Sequence, residues 1–414
     1  MKKGMTRLAA LLLAAIMMLG ATSCAVSVRG SELSAGYTRN GEVSSVAEDF
    51  PTVMADFSLE LFRRTLTEDD ENDLISPLSA MVCLALVTNG ADGETLRQIE
   101  QAIGMEIETL NESLYAYTAS LPDLEEGKLH LANSIWFRDQ GIDVREEFLQ
   151  TNADWYGAQV YQSPFDNSTV KEVNDWVKKH TDGMIDSIIN EIDPLTVMYL
   201  INALVFDAKW QTEYEKSDIK DRTFTNADGS RVTVDMMYSD ESTYLEGEGF
   251  CGFAKNYRGN GYSFVGLLPD EGSDVYALAD SLDGEAWSKM WNSRRGVSVD
   301  VGIPEFTYDA HMDLTKTLSA MGMTDMFNVS VADFSRLGES EMGNIYCSAV
   351  EQKTFIDVSR HGTKAAAVTW ATMKCGSAAP MDTYRVILDR PFVYAIVDNA
   401  TGLPVFLGLV SHLN

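Results

Sequence analysis

Gly362-Thr363-Lys364-Ala365-Ala366-Ala367-Val368-Thr369, continued by Trp370-Ala371-Thr372-Met373-Lys374-Cys375-Gly376-Ser377-Ala378-Ala379-Pro380, lies between strand-like segments near the C-terminus. In an extended strand, side chains alternate between the two faces. Thr363, Ala365, Ala367, Thr369, Ala371 and Met373 then share one side, and Lys364, Ala366, Val368, Trp370, Thr372 and Lys374 the other. The first side is uncharged and mostly small, fit to enter a packed sheet. Both lysines fall on the second side. Alanine-rich sequence also suits a helix, and a fixed edge strand fits as well. Composition leaves these readings open.

Outward from this stretch, the apolar runs Pro391 to Val397 and Leu403 to Val410 are joined through Asp398, Asn399, Ala400, Thr401 and Gly402, which predicts a hairpin. Val297 to Val301 alternates like a half-buried strand, and Gly261 to Leu268 reads as a more buried one. Toward the N-terminus the signals are helical. Phe50, Val53, Phe57 and Leu61 fall on one helix face. In Ser76-Pro77-Leu78-Ser79, Ser76 suits an N-cap and Pro77 the first helical position, ahead of the apolar run Ala80 to Val87. That helix is hydrophobic all round and is expected to be buried. Helices early and strands late give an α+β fold class rather than regular βαβ alternation.

At the N-terminus, Lys2, Lys3 and Arg7 precede the uncharged run Leu8 to Gly20, the pattern of a signal peptide spanning residues 1–23. Ala21-Thr22-Ser23-Cys24 resembles the lipobox of bacterial lipoproteins, which makes Cys24 a candidate lipid attachment site. Residues 24–47, with Ser, Gly and Asn, are expected as a flexible tether, and 48–414 as one domain. No other segment approaches the roughly 18 apolar residues of a spanning helix, so a membrane is reached only through that lipid. The expected location is extracellular, at the cell surface.

Removing residues 1–23 takes away three of the 32 basic residues and none of the 62 acidic ones, so the remaining chain carries 29 against 62, a net of −33. Nucleic acid is excluded as a partner on that balance, and a polyanionic activator is a poor fit. Besides Cys24, the cysteines Cys83, Cys251, Cys347 and Cys375 lack the paired spacing of a zinc or redox motif and do not form a disulfide framework. There is no Gly-x-Ser-x-Gly elbow, no His-Glu-x-x-His and no glycine-rich phosphate loop. The five histidines, His130, His180, His311, His361 and His412, show no arrangement that points to a triad. No enzyme chemistry, metal or cofactor is implied.

The motifs taken together resemble the serpin family, in the family's order from about Phe50 to the C-terminus. They comprise Asn72 to Ser79, Asn89 to Thr95, Ala132-Asn133 before Ile135-Trp136-Phe137, and Val173 to Val177 with Thr181. Ile201 to Phe206 running to Trp210, Ile303 to Phe306, Gly322 to Phe327, Ala332 to Ser335 and Asp389 to Phe392 complete the set. The resemblance implies a serpin fold, with helices packed on a large mixed or antiparallel sheet, smaller sheets and an exposed reactive-centre loop. It implies a monomeric suicide inhibitor whose partner is a serine protease in a covalent 1:1 complex. By that similarity Gly362, Thr363, Lys364, Ala365, Ala366 and Ala367 form the hinge; Ser76, Pro77, Ser79 and Asn202 form the shutter, where Gln352 stands in place of a common histidine; and Trp210 marks the breach. Counting from the hinge places the reactive bond at Gly376-Ser377, with Lys374, Met373 and Cys375 as alternatives. A small residue there suits elastase-like or subtilisin-like targets. A non-inhibitory serpin acting as a binding protein, or an unrelated extracellular hydrolase, is the competing reading. Ser359, Arg360 and His361 stand where many relatives carry an acidic residue, which leaves the usual salt bridge at the top of the sheet open.

Overall fold

The computed structural model describes residues 30–38, 45–67, 71–192, 196, 198–341, 343–363 and 384–414. Lys364 to Thr383, with Met373, Lys374, Cys375, Gly376 and Ser377, lie outside the described residues, as do the expected signal peptide and Cys24.

The chain begins with β1 (Ser31–Glu32), α1 (Phe50–Thr65), β2 (Asp73–Ile75), α2 (Pro77–Thr88), α3 (Gly93–Ile103), α4 (Ile107–Ser120) and β3 (Gly127–Arg138). It continues with β4 (Ile142–Val144), α5 (Glu146–Tyr156), β5 (Gln159–Ser163), α6 (Asn167–His180), β6 (Met198–Lys209), β7 (Ile219–Thr225), β8 (Arg231–Gly247), β9 (Phe250–Asn256) and β10 (Tyr262–Pro269). The last part holds α7 (Val275–Ser281), α8 (Gly284–Asn292), β11 (Arg295–Pro304), β12 (Phe306–Asp313), α9 (Thr315–Ala320), β13 (Gly338–Ser340), β14 (Val350–Ser359), β15 (Gly362–Thr363), β16 (Tyr384–Ile387), β17 (Phe392–Asp398) and β18 (Pro404–Val410). This is the expected α+β arrangement.

Two sheets carry the architecture. The first has the order β1-β5-β3-β6-β15-β14-β12; the second runs β16-β11-β8-β9-β10-β17-β18-β2, with β7 paired to β8 off that path. β17 and β18 pair antiparallel, as the two apolar runs at the C-terminus predict. β2 adds to β18. α2 packs against β6 of one sheet and β18 of the other. Because both sides of α2 meet a sheet, every one of its residues is buried, and its N-terminus is capped by Ser76 Oγ accepting from Ser79 N–H. Each large apolar side chain buried there contributes about 1.5 to 3 kcal/mol. A second apolar cluster lies between α6 and the first sheet, where Trp176, Val173 and Val177 meet Trp136, Tyr161 and Ile201.

The expected tether differs in part. Residues 30–38 join the fold: Ser31 and Glu32 pair antiparallel with Tyr161 and Gln162 of β5, and Leu33 N–H donates to the Val160 carbonyl at 2.7 Å. An edge strand presents unpaired backbone groups, and β5 would otherwise be that edge. A two-residue strand has no period to read from sequence, so composition alone assigned it to the tether.

Cys83, Cys251 and Cys347 are free thiols. Burial pushes the Cys83 thiol up to about 12, which keeps it protonated and unreactive.

Candidate functional site

β6 and β14 are parallel neighbours that pair directly only between Leu200–Ala203 and Val350–Lys353. Beyond Lys353 the chain of β14 continues to Ser359, turns through Arg360 and His361, and returns as β15. Gly362 and Thr363 pair antiparallel with Ser359 and Val358 on one side. On the other they pair antiparallel with Lys209 and Ala208 of β6. Two residues of the sequence-predicted hinge are thus already a strand between β6 and β14, pointing into the fork.

Local chemistry explains why β15 starts there. Gly362 has φ +149°, and a Cβ at that position would lie 2.1 Å from the Ala208 carbonyl oxygen, so glycine is required by both backbone angle and space. Thr363 is 2% exposed, and its Oγ1 lies 2.6 Å from the Tyr257 hydroxyl. The Tyr257 ring stacks on Trp210 at 4.6 Å and 11°. Burial pushes the Tyr257 hydroxyl well above its ordinary value, so it stays neutral. Trp210 Nε1–H donates to the Ser359 carbonyl at 2.8 Å. Trp210 and Tyr214 backbone N–H groups donate to the His361 and Arg360 carbonyls, each at 3.0 Å. The turn is therefore held by backbone and side chain at once.

Beneath Trp210 lies a buried charge. Lys255, 2% exposed, pairs with Glu241 at 2.7 Å and sits 4.5 Å from the Tyr214 ring centre and 5.4 Å from that of Trp210. Ser239 Oγ also donates to Glu241, at 2.7 Å. A desolvated ammonium needs such partners.

At the closed end of the fork, Gln352 grips the start of α2. Ser76 N–H donates to Gln352 Oε1 at 2.8 Å, and Gln352 Nε2–H donates to the Ser76 carbonyl at 3.0 Å. Ser76 Oγ–H donates to the Val405 carbonyl in β18 at 2.9 Å. Thr354 Oγ1–H donates to the Leu74 carbonyl at 2.9 Å. An uncharged amide thus ties β14 to the start of α2, and the Ser76 and Thr354 hydroxyls tie this end to the second sheet.

The structure brings Ser76, Ser79 and Gln352 together, with Pro77 buried at the first helical position. Asn202 takes the register position opposite both Asn133 and Gln352. Trp210 lies beside the turn that leads into Gly362 and Thr363. Among the described residues the Arg360 guanidinium forms no salt bridge: Glu305 accepts the Arg360 backbone N–H at 3.0 Å, and Arg360 Nε–H donates to His361 Nε2. Sequence reasoning missed Tyr257, Lys255, Glu241 and Glu213. Lys255 alone carries a signal, a lysine among Phe253, Ala254 and Tyr257. Among the described residues, no group of three or more His, Cys, Asp or Glu could hold a metal ion, and no helix is long and apolar enough to cross a membrane.

Comparison with known proteins agrees with this geometry. The profile described as Serpin (serine protease inhibitor) matches residues 52–413. Plasminogen activator inhibitor 1 of Bos taurus is 30% identical over 398 residues, covering 92% of this chain and 95% of that protein. Leukocyte elastase inhibitor of Equus caballus is 29% identical, covering 88% and 99%. The thermophilic serpin Tengpin in its native state superposes with TM-score 0.90 at 44% identity, covering 93% of this chain and all of that one. Its latent state gives 0.81 at the same identity, covering 90% of this chain and all of that one.

Proposed function

The chain belongs to the serpin family, and on that premise we propose that it inhibits serine-type endopeptidases by acyl-enzyme trapping, through insertion of the cleaved loop 362–376 into the first sheet. The observation that carries this reading is β15, the first two hinge residues lodged between β6 and β14.

Their register says what a longer strand would meet. Continued antiparallel from Thr363, Ala365 would face Phe206 and Ile356, Ala367 would face Leu204 and Thr354, Thr369 would face Asn202 and Gln352, and Ala371 would face Leu200 and Val350. On β14 the side chains of Val350, Gln352, Thr354, Ile356 and Val358 are all buried, so the small, uncharged side of the loop lands on the core. Lys364 would lie between Asp207 and Asp357. Met373 would reach Met198, the first residue of β6. A dozen residues at about 3.3 Å each carry the acylated protease roughly 40 Å. The short parallel pairing of β6 with β14 gives way to antiparallel pairing on both sides, which is slightly more stable per residue. At about 0.5 to 1.5 kcal/mol for each new bond, a dozen bonds contribute on the order of 10 kcal/mol.

The reactive bond is proposed at Gly376-Ser377, with elastase-like or subtilisin-like targets; similarity to a leukocyte elastase inhibitor supports that class. We also propose export by the signal peptide and a lipid on Cys24. Mixing the purified protein with pancreatic elastase, neutrophil elastase, subtilisin and trypsin is the test. A denaturant-stable band at the sum of the two masses, with a released peptide beginning at Ser377, is expected. Loop cleavage across the panel without such a band would leave a serpin that traps nothing.

A further inference from the structure

Between the end of α4 and the start of β3 lies a cavity of about 390 Å³, whose apolar wall is Leu78, Leu121, Leu124, Leu129, Leu131 and Leu204. Leu78 and Leu204 are buried, and the other four are half-buried. Tyr262, the first residue of β10, lines the same cavity. It is 0% exposed, and its hydroxyl has no hydrogen-bond partner among the described residues. Buried hydroxyls in folded proteins are paired as a rule. This one is a donor and acceptor beside an apolar cavity, with its bonding unspent.

The ring is held where it is. Tyr262 pairs with Asp398 of β17 in the strand register, and Phe206 meets its ring edge-on at 5.6 Å. The polar groups around it are engaged elsewhere. Asp398 accepts from the Ala400 N–H at 3.0 Å and from the Thr401 hydroxyl at 2.6 Å. In the cavity wall, the Thr118 hydroxyl donates to the Tyr115 carbonyl at 3.2 Å. We infer that this cavity binds a neutral aliphatic amphiphile, its chain against the leucines and its hydroxyl or carbonyl oxygen bonded to Tyr262.

Charge selects the head group. Of the two charged residues that line the cavity, Lys128 pairs with Asp182, while Asp123 is exposed. Burial, and then the charges of Asp398 and Asp123, push the Tyr262 hydroxyl well above its ordinary value, so it keeps a proton to donate. A carboxylate or phosphate head would meet those two acids without a free cation to offset them. A neutral oxygen meets a donor instead. The volume falls within the range of roughly 300 to 1,000 Å³ typical of small-molecule sites. The site depends neither on the loop nor on protease inhibition.

Decan-1-ol titrated into protein with isotope-labelled leucine methyls tests this by nuclear magnetic resonance. Saturable shifts are expected at the six lining leucines, with methyls remote from the cavity, such as those of Leu337, unmoved. Ionised decanoate should bind more weakly, and Asp123→Asn should narrow that difference. Tyr262→Phe keeps the ring and removes the hydroxyl, so decan-1-ol affinity should fall about five- to tenfold. The same variant should melt no lower than the parent, because it deletes an unpaired buried group. A lower melting temperature would show the hydroxyl already bonded within the fold and overturn the proposal. Unchanged decan-1-ol affinity in Tyr262→Phe, equal affinity for decanoate, or shifts that miss these leucines would overturn it as well.

Discussion

Thr363 sits with its hydroxyl on Tyr257 and its side chain out of water, so a guanidinium there would lose its hydration inside an aromatic surround. Several kcal/mol oppose that burial, and Thr363→Arg is expected to be cleaved as a substrate without trapping. Equal complex yields from mutant and parent would show that the strand does not enter at Thr363. Glu241 makes a different prediction, about stability. Removing its carboxylate from Lys255, which is 2% exposed, leaves a buried cation, and Glu241→Ala should lower stability by about 3 to 5 kcal/mol. Chemical denaturation of the native form measures it; a loss below about 1 kcal/mol would mean that the rings of Trp210 and Tyr214 hold the ammonium without help. At this scale the sequence is half legible. The glycine that opens β15 follows from its place in the motif. Tyr257 was not legible, because its role depends on stacking against Trp210, 47 positions earlier in the chain, a contact that no local pattern encodes.

Between elements, the fork of β6 and β14 is what the proposed insertion has to open. Asp207 and Asp357 hold the next register positions beyond the partners of Thr363, and in the proposed insertion Lys364 would arrive between them. Opposite charges across strands contribute roughly 0.2 to 1 kcal/mol, and like charges oppose pairing by similar amounts. Lys364→Glu is therefore expected to raise the number of inhibitor molecules consumed per protease several-fold, and Lys364→Gln by less. Identical stoichiometry for the two variants would exclude a role for the carboxylate pair. The helices and the C-terminal hairpin were readable because caps, apolar faces and turn residues act over a few positions. β1 was not. Ser31 and Glu32 become a strand because β5 offers a free edge, and that edge exists only after β3 and β5 have paired through a crossover. The contact between His361 and Glu213 escaped for the same reason, since Glu213 reaches the turn from another strand's end.

For the whole molecule, a native serpin structure superposes better than a latent one, and among the described residues the first sheet holds Gly362 and Thr363 of the expected hinge. Cleaving the loop should release the remainder into the sheet, so the melting temperature is expected to rise by tens of degrees, given about 10 kcal/mol of new pairing. An unchanged melting temperature would mean that no strand enters. The position of β1 adds an orientation. β1 pairs with β5 beside Gln162, and β5 lies level with the Met198 end of β6, because Phe137 pairs with Met198 and Arg138 with Ser163. The chain therefore leaves the fold toward Cys24 at the end opposite the hinge. Should Cys24 carry a lipid, the six or so residues between it and Ser31 span at most about 20 to 25 Å. The Thr363 end of the sheet would then face outward from the cell, while a protease trapped by the proposed insertion would be drawn down against the bilayer. Headroom under the molecule, set by those few residues, would cap the size of enzyme that an anchored copy can hold, a limit that a soluble copy would not share.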